Sequence, residues 1–213
     1  TFVSPVLYRP LKDGASYVLH SSTKYISGNN SVVGGVLASQ DTERIRGELW
    51  DWRRWLGTTM TPFNAYLTLQ GLKTLELRVR RHSYSALQVA EFLSEHPKVV
   101  EVLYPGLPGN EYHEVAKKIF EDKLFGGVIS FRIHGGGSEA LRFMKNLKLI
   151  KATPSLGGPE SMITHPLSSL SFSHIPEERR RRLGLTENLL RMSIGLEDVE
   201  DIIEDLDRAL SQI

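Results

Sequence analysis

The sequence predicts an α/β fold that ends in a smaller α+β part. Short β-prone runs flank a glycine-rich loop near the start of the chain, and a long stretch of helical periodicity follows them. Short strand-like and helical segments then alternate to the end of the chain. An apolar content of 40% is enough to form a hydrophobic core, so we expect a folded chain.

Two β-prone runs and two helical segments make up the first part. The β-prone runs, 15–20 and 32–38, are joined by a polar loop that contains glycine. A helical pattern covers 41–56, and a second covers 62–96 with proline at its first position, where the missing N–H costs little. The second pattern is long for a globular helix, so we expect a bend near 75–81.

The remaining chain predicts a second layer of strands and helices. Its last helix is amphipathic, with an apolar face opposite a strongly acidic one. The predicted strands are 99–103, 127–133 and 189–194, and the predicted helices are 113–120, 139–147 and 196–210.

Composition argues against several classes of partner. The 26 Lys and Arg residues nearly balance the 25 Asp and Glu residues, so no overall charge attracts nucleic acid or an anionic membrane. No apolar stretch is long enough to cross a bilayer. Cysteine is absent, which excludes disulfides and favours a cytoplasmic protein. The seven histidines lack metal-ligand spacing, so we expect no metal site.

The tryptophans Trp50, Trp52 and Trp55 favour either core packing or an oligomer interface.

A lysine follows three hydroxyl residues directly after the first β-prone run. Lysine performs covalent chemistry as a Schiff base with a carbonyl group. On a strand, Ser21 and Thr23 would share a face and could both reach a phosphate group. With Lys24, this arrangement fits pyridoxal phosphate (PLP), whose aldehyde reacts with a lysine amine. The alternative is a polar loop with an exposed lysine.

An arginine interrupts the apolar strand 189–194. Burial of an unpaired guanidinium is costly, so Arg191 should face a carboxylate. A ligand carboxylate suits its planar, bidentate geometry, and an internal ion pair, for example with Glu160, is the alternative. The turn SLGG at 155–158 presents the Ser155 hydroxyl and backbone donors that could reach the same ligand.

The lysine segment LHSSTKYISG at 19–28 resembles the lysine motif of the Cys/Met-metabolism enzymes that use PLP, the group of cystathionine γ-lyase, cystathionine γ-synthase and methionine γ-lyase. Further blocks resemble this family in the same order across essentially the whole chain. They are QGLKTL at 70–75, RH at 81–82, FL at 92–93, YPGL at 104–107, FGG at 125–127, SLGG at 155–158, ES at 160–161, HP at 165–166 and LRMSIGLE at 190–197.

The resemblance implies an aspartate-aminotransferase-like PLP fold. Residues 1–76 would be the C-terminal part of the PLP-binding large domain, and 77–213 would be the small C-terminal α+β domain. The chain opens at Thr1 without an initiator methionine, so we expect the C-terminal half of an enzyme that works with the N-terminal half of the same protein. The resemblance also implies a homotetramer built from dimers.

The resemblance also implies roles for five residues. Lys24 would form the internal aldimine with PLP and move protons between substrate carbons. Ser21 and Thr23 would bind the cofactor phosphate. Arg191, assisted by Ser155, would hold the carboxylate of a small-molecule amino-acid substrate.

The implied activity is a PLP-dependent carbon–sulfur lyase or γ-synthase. It would catalyse γ-elimination or γ-replacement on cystathionine, homoserine esters or methionine. An O-acetylhomoserine sulfhydrylase-like transferase and a non-catalytic oligomerisation module are the alternatives. Pro154 stands where cystathionine-handling members often carry glutamate, whereas the context GGPES at 157–161 resembles the γ-lyase and γ-synthase branch. Asn29, Asn30 and Ser31 replace the family's usual His-Ser-Asp.

Overall fold

The computed structural model describes residues 1–169 and 174–213 of the chain. Within these ranges the strands form a two-stranded antiparallel sheet, of order β1-β2, and a five-stranded sheet of order β3-β4-β7-β6-β5. Neighbours in the larger sheet are antiparallel except the parallel pair β5 and β6. The strands are β1 (Tyr17–Ser21), β2 (Gly35–Ser39), β3 (Val99–Leu103), β4 (Val128–Ile133), β5 (Lys151–Ala152), β6 (Met162–Thr164) and β7 (Leu189–Ser193).

Helices occupy much of the chain between these strands. The longest of them, α5, follows another helix after a break of two residues. In the described ranges the helices are α1 (Ser4–Leu7), α2 (Thr42–Arg46), α3 (Glu48–Leu56), α4 (Pro62–Leu72), α5 (Leu75–Glu95), α6 (His113–Ile119), α7 (Gly137–Asn146), α8 (Glu177–Arg182) and α9 (Val199–Leu210).

The main hydrophobic core lies between the five-stranded sheet and the helices α5, α7 and α9. Side chains along β4 alternate between half-buried and fully buried, as expected for a strand with one face on a core. The buried face of α9 confirms the amphipathic pattern read from its sequence, with Ile202 and Leu206 both 0% exposed.

A second, smaller core joins the start of α5 to the loop that carries Lys24. Its buried members are Leu7, Tyr25, Leu75, Val79 and Leu156. Because α5 continues from this cluster into the main core, it connects the lysine loop to the five-stranded sheet. The proposed domain boundary between residues 76 and 77 falls inside α5 and stays a prediction.

Three features of the fold differ from the sequence prediction. The helix expected over 41–56 is two helices, because Gly47 adopts non-helical dihedral angles. The helix expected over 62–96 breaks at 73–74, just before the expected bend. The strands β5 and β6 were missed because two or three residues are too few to show a period.

The tryptophans of α3 lie on the surface. Trp50, Trp52 and Trp55 are 50%, 55% and 81% exposed, and two of them have an arginine guanidinium over the ring. Core packing is therefore wrong for these residues in this chain, because at least half of each residue is exposed. The oligomer interface stays a prediction. In the part of the chain that the structure describes, no helix has the length and apolar character needed to span a membrane.

Candidate active site

Lys24 lies in a tight turn that begins where β1 ends. The Ser27 N–H donates to the Ser22 carbonyl at 2.9 Å, and the Gly28 N–H donates to the Lys24 carbonyl at 2.9 Å. Because the strand stops at Ser21, the expectation that Ser21 and Thr23 share a strand face is wrong. Ser21 is the last residue of β1, whereas the turn sets the direction of the Thr23 hydroxyl.

The Lys24 amine is half-buried and has a defined partner. Its Nζ donates a hydrogen bond of 2.9 Å to the Ser155 Oγ. Burial lowers the pKa of Lys24, and the positive charge of Arg191 lowers it further. A larger fraction of this amine is therefore neutral, and so nucleophilic, than in an exposed lysine at the same pH.

Ser155 occupies a strained position in the loop between β5 and β6. Its φ angle is +119°, in the region that favours glycine. The next residues hold this loop in place: the Gly157 N–H donates to the Ser193 Oγ at 3.2 Å. A Cβ on Gly157 would lie 2.7 Å from the Tyr25 backbone nitrogen, so glycine permits the close approach of this loop to the lysine turn.

Arg191 lies in the middle of β7 and is half-buried. Its neighbours across the sheet are Ser130 and Thr164, both without charge. Among the described residues no carboxylate lies within 4 Å of its guanidinium, and burial lowers its pKa. Its Nη2 is 3.5 Å from the Ser155 carbonyl oxygen. Lys24 and Arg191 therefore both reach Ser155.

Glu160 does not serve as the internal partner of Arg191. Its Oε2 accepts a hydrogen bond of 2.6 Å from the Asn30 Nδ2. The internal ion pair offered as the alternative for Arg191 is therefore wrong. Asn30, one of the residues that depart from the family motif, instead links the lysine loop to the loop that carries Ser155.

The hydroxyls beside Lys24 fit a phosphate-bearing cofactor. The Ser21 Oγ makes no hydrogen bond to any residue that the structure describes, and the Ser22 Oγ is buried without a partner there. The Thr23 Oγ1 accepts from the Gly34 N–H at 3.1 Å, and its own contact to the Gly34 carbonyl is long, at 3.4 Å. PLP and an amino-acid carboxylate require a primary amine, hydroxyls that can donate, and a guanidinium that has no carboxylate partner among the described residues.

Sequence reasoning missed three residues that pack beneath this site. Tyr25 and His82 are buried with their rings 5.4 Å apart, and Arg78 donates to the Tyr25 carbonyl. The available signal was the spacing of Arg78 and His82, which places two polar side chains on one face of a helix.

Comparison with known proteins places the chain in a family. The family model described as Cys/Met metabolism PLP-dependent enzyme matches residues 1–211. The chain belongs to this family. PLP is the family's cofactor, and the prediction of an α/β fold of the aspartate-aminotransferase-like PLP type is confirmed by the solved structures that resemble it.

Relatives that are named for different activities resemble the chain about equally. It is 40% identical to a cystathionine gamma-lyase of Dictyostelium discoideum, over 100% of this chain and 54% of that protein. It is 42% identical to an L-methionine gamma-lyase of Fusobacterium nucleatum subsp. polymorphum, over 100% of this chain and 53% of that protein. A structure of the Xanthomonas oryzae pv. oryzae cystathionine gamma synthase in complex with cystathionine matches with a TM-score of 0.93 and 42% identity, over 100% of this chain and 54% of that one. The chain spans about half the length of the relatives it matches.

Proposed function

We propose that the protein carrying this chain is a PLP-dependent lyase or transferase that acts on sulfur-containing amino acids. The observation that carries the proposal is the hydrogen bond between Lys24 and Ser155 beside Arg191. It places an amine of lowered pKa, a hydroxyl and a guanidinium without a carboxylate partner among the described residues around one residue. Membership of the family supports the same activity.

Lys24 is the proposed attachment site for the cofactor aldehyde and the proposed proton carrier. Its lowered pKa favours the neutral amine, which is the form that attacks a carbonyl and accepts a proton. When bound, PLP supplies an electron sink for the negative charge left on the substrate Cα. Lys24 Nζ removes the Cα proton and returns a proton to the neighbouring carbons, while Ser155 orients the amine.

Ser21 and Thr23 are the proposed phosphate ligands. The Ser21 hydroxyl is free to donate within the described residues, whereas Thr23 accepts the Gly34 N–H and can turn its own hydrogen outward. Both hydroxyls lie within three residues of Lys24, so the turn holds them beside the amine. A phosphate bound there would fix the cofactor at one end and the lysine would fix it at the other.

Arg191 is the proposed anchor of the substrate α-carboxylate. Its guanidinium offers paired N–H donors in the fork that matches a carboxylate, and its neighbours on β6 and β4 carry no charge that would compete. Binding there supplies the partner that a half-buried guanidinium requires. The Cα of the substrate is then held near Lys24, since both groups reach Ser155.

The choice of substrate depends on the residues beside this anchor. The exposed Pro154 precedes Ser155 and offers no charge to a distal ammonium group. We infer that methionine or a homoserine ester suits this position better than cystathionine does. Cystathionine remains a candidate because a γ-lyase and a γ-synthase are among the relatives of this chain.

Attachment of the cofactor is the first experiment. The protein that carries this sequence is incubated with PLP, reduced with borohydride, digested and mapped by mass spectrometry. We expect a pyridoxyl adduct on Lys24 that Lys24→Arg abolishes and the exposed control Lys73→Arg retains. Release of an α-keto acid is then measured with methionine and with cystathionine, and release of acetate is measured with O-acetylhomoserine and a thiol. An unlabelled Lys24 and no turnover would support the non-catalytic oligomerisation module instead.

An oligomer is the second part of the proposal. The exposed aromatic residues of α3 and α4, including Trp55 at 81% and Phe63 at 68%, form the kind of surface that soluble proteins cover by association. We infer contact either with the rest of the same protein or with another copy, and a tetramer built from dimers as the full assembly. Light scattering coupled to size-exclusion chromatography measures the assembly mass directly.

A further inference from the structure

Arg78 on α5 binds the backbone of the chain directly after Lys24. Its Nη1 donates to the Tyr25 carbonyl at 2.8 Å, its Nη2 donates to the Gly71 carbonyl at 2.7 Å, and its Nε donates to the Thr74 Oγ1 at 3.0 Å. The guanidinium therefore fixes the lysine turn against the break between α4 and α5. Burial lowers the pKa of Arg78, and no carboxylate in the described ranges offsets that cost.

His82 lies one turn further along α5 and binds the backbone directly after the strand of Arg191. Its Nδ1 is 2.8 Å from the Ile194 carbonyl oxygen and 3.2 Å from that of Gly195, so Nδ1 carries the proton and donates. The same ring packs edge-on against Tyr25, with centroids 5.4 Å apart. His82 therefore contacts both the lysine turn and the end of β7.

Two glycines allow these contacts. A Cβ on Gly28, where φ is +61°, would overlap the Arg78 guanidinium. A Cβ on Gly71 would overlap the Ser27 carbonyl. The lysine turn is therefore packed against α4 and α5 without space for a side chain, and its position follows the position of Arg78.

We propose that Arg78 and His82 are positioning residues that together set the separation between Lys24 and Arg191. Residues four apart on a helix share a face and are separated by about one 5.4 Å turn. One of them fixes the residue after Lys24 and the other fixes the residues after β7. The helix between them then acts as a rigid spacer between the amine and the guanidinium, a role that deepens the proposed function and rests on it.

This arrangement is costly if stability is its only purpose. Arg78 is half-buried, and partial burial of a guanidinium without a carboxylate partner among the described residues has a desolvation cost that an apolar side chain of similar size does not have. The Arg78 guanidinium donates to one carbonyl group in the lysine turn and to another at the helix break, and these two segments position Lys24. Placement of the site explains these contacts better than stabilisation of the fold does.

The test uses matched variants in the protein without cofactor. At residue 82, His82→Asn keeps an N–H donor near the position of Nδ1, whereas His82→Leu has almost the same volume and no donor. At residue 78, Arg78→Met removes the donors and Arg80→Met on the exposed face of the same helix is the control. The readouts are the pKa of Lys24, followed by NMR of ¹³C-methylated protein and assigned with Lys24→Arg, and amide hydrogen exchange of residues 25–28 and 194–197.

Arg78→Met and His82→Leu are expected to move the Lys24 pKa toward the ordinary lysine value, because the amine moves away from Arg191 and into water. Amide exchange should rise roughly tenfold in the segment that each residue holds, which corresponds to about 1.4 kcal/mol of local opening. His82→Asn and Arg80→Met should match the unsubstituted protein. In an active enzyme, the loss in kcat/KM should be on the order of 10- to 100-fold for a displacement of this kind.

Two results would overturn the proposal. One is a Lys24 pKa that does not change in Arg78→Met and His82→Leu although both variants melt at a lower temperature. This result would show that Arg78 and His82 stabilise the fold without positioning the site. The other is the same exchange behaviour in His82→Asn as in His82→Leu, which removes the donor from the explanation. Neither readout uses PLP, so failure of the proposed function leaves this test intact.

Discussion

Lys24 and Ser155 are 131 positions apart in the sequence, and the Lys24 Nζ donates a hydrogen bond of 2.9 Å to the Ser155 Oγ. The contact joins the turn after β1 to the loop between β5 and β6. Ser155 makes it with a backbone φ of +119°. A serine held in a region that favours glycine, with its hydroxyl on a lysine of lowered pKa, indicates strain that is retained for function.

Ser155→Gly and Ser155→Ala separate the strain from the hydrogen bond. Both variants lose the hydroxyl, but only glycine adopts the φ of this residue without strain. We expect Ser155→Gly to be more stable than Ser155→Ala by about 1 kcal/mol in the free energy of unfolding, measured with urea. Equal stability of the two would show that the backbone of this residue is unstrained in solution.

The same pair of variants tests the role of the hydroxyl. Each should lower kcat/KM by roughly tenfold, the value of one hydrogen bond to a charged or reacting group. A loss in Ser155→Ala that Ser155→Gly does not share would point to backbone geometry as its cause.

Arg191→Met should raise the pKa of Lys24. The positive charge of Arg191 disfavours protonation of the neighbouring amine, so its removal favours the ammonium form. The pKa should remain below the ordinary lysine value because burial, the larger cause, is unchanged. A pH titration of the ¹³C-methylated amine measures the shift, with the exposed Arg142→Met as the control. A Lys24 pKa that falls or stays constant would contradict the electrostatic coupling.

The sequence singled out Lys24, Ser155 and Arg191, which the structure brings together, but it did not predict the contacts between them. Lys24 and Arg191 stand out locally, one behind hydroxyl residues and the other inside an apolar strand. The contact of Lys24 with Ser155 depends on a loop whose flanking strands have two and three residues, too short to leave a periodic signal.

The helix break has a similar explanation. Apolar periodicity continues through 73–74, whereas in the structure Arg78 donates hydrogen bonds to Gly71 and Thr74 at the break. The spacing of Arg78 and His82 places both on one face of a helix, but it did not predict their roles, because most of their partners are backbone carbonyls, which carry no sequence signal.

His82 should make the protein lose stability in mild acid. Burial lowers its pKa from 6.5 to about 4, and the Arg78 charge adds to this effect against the opposing hydrogen bond of the Ile194 carbonyl. Between these values the unfolded chain binds a proton that the folded chain does not, so the free energy of unfolding falls as the pH falls. The stability that depends on a neutral His82 is fully present above about pH 6.5. It decreases as the pH falls to about 4, by a total on the order of 3 kcal/mol.

Urea unfolding from pH 7.5 to 4 measures this dependence, and His82→Asn supplies the comparison because it keeps a donor and has no proton to gain. The difference in unfolding free energy between the two proteins should shrink or change sign as the pH falls. Parallel curves would show that His82 titrates normally in the folded protein.

Asp205→Asn should destabilise the fold and loosen the segment that leads into the loop of Ser155. The buried Asp205 carboxylate on α9 accepts hydrogen bonds from the backbone N–H groups of 148–150 at 2.9 to 3.2 Å and forms an ion pair with Arg208. Burial opposes the charged form, but these donors outweigh it and lower the Asp205 pKa. The bound segment runs directly into β5 and the loop of Ser155.

An asparagine amide keeps only one acceptor oxygen, so its NH2 group would face either Arg208 or some of these backbone donors, and Arg208 would lose its counterion. We expect a loss of about 3 kcal/mol in the free energy of unfolding, the usual result when one partner of a buried charged pair is removed. The exposed Asp201→Asn on the same helix should change it by less than about 0.5 kcal/mol. A cost for Asp205→Asn as small as that of the control would mean that the N–H groups of 148–150 are satisfied by water in solution.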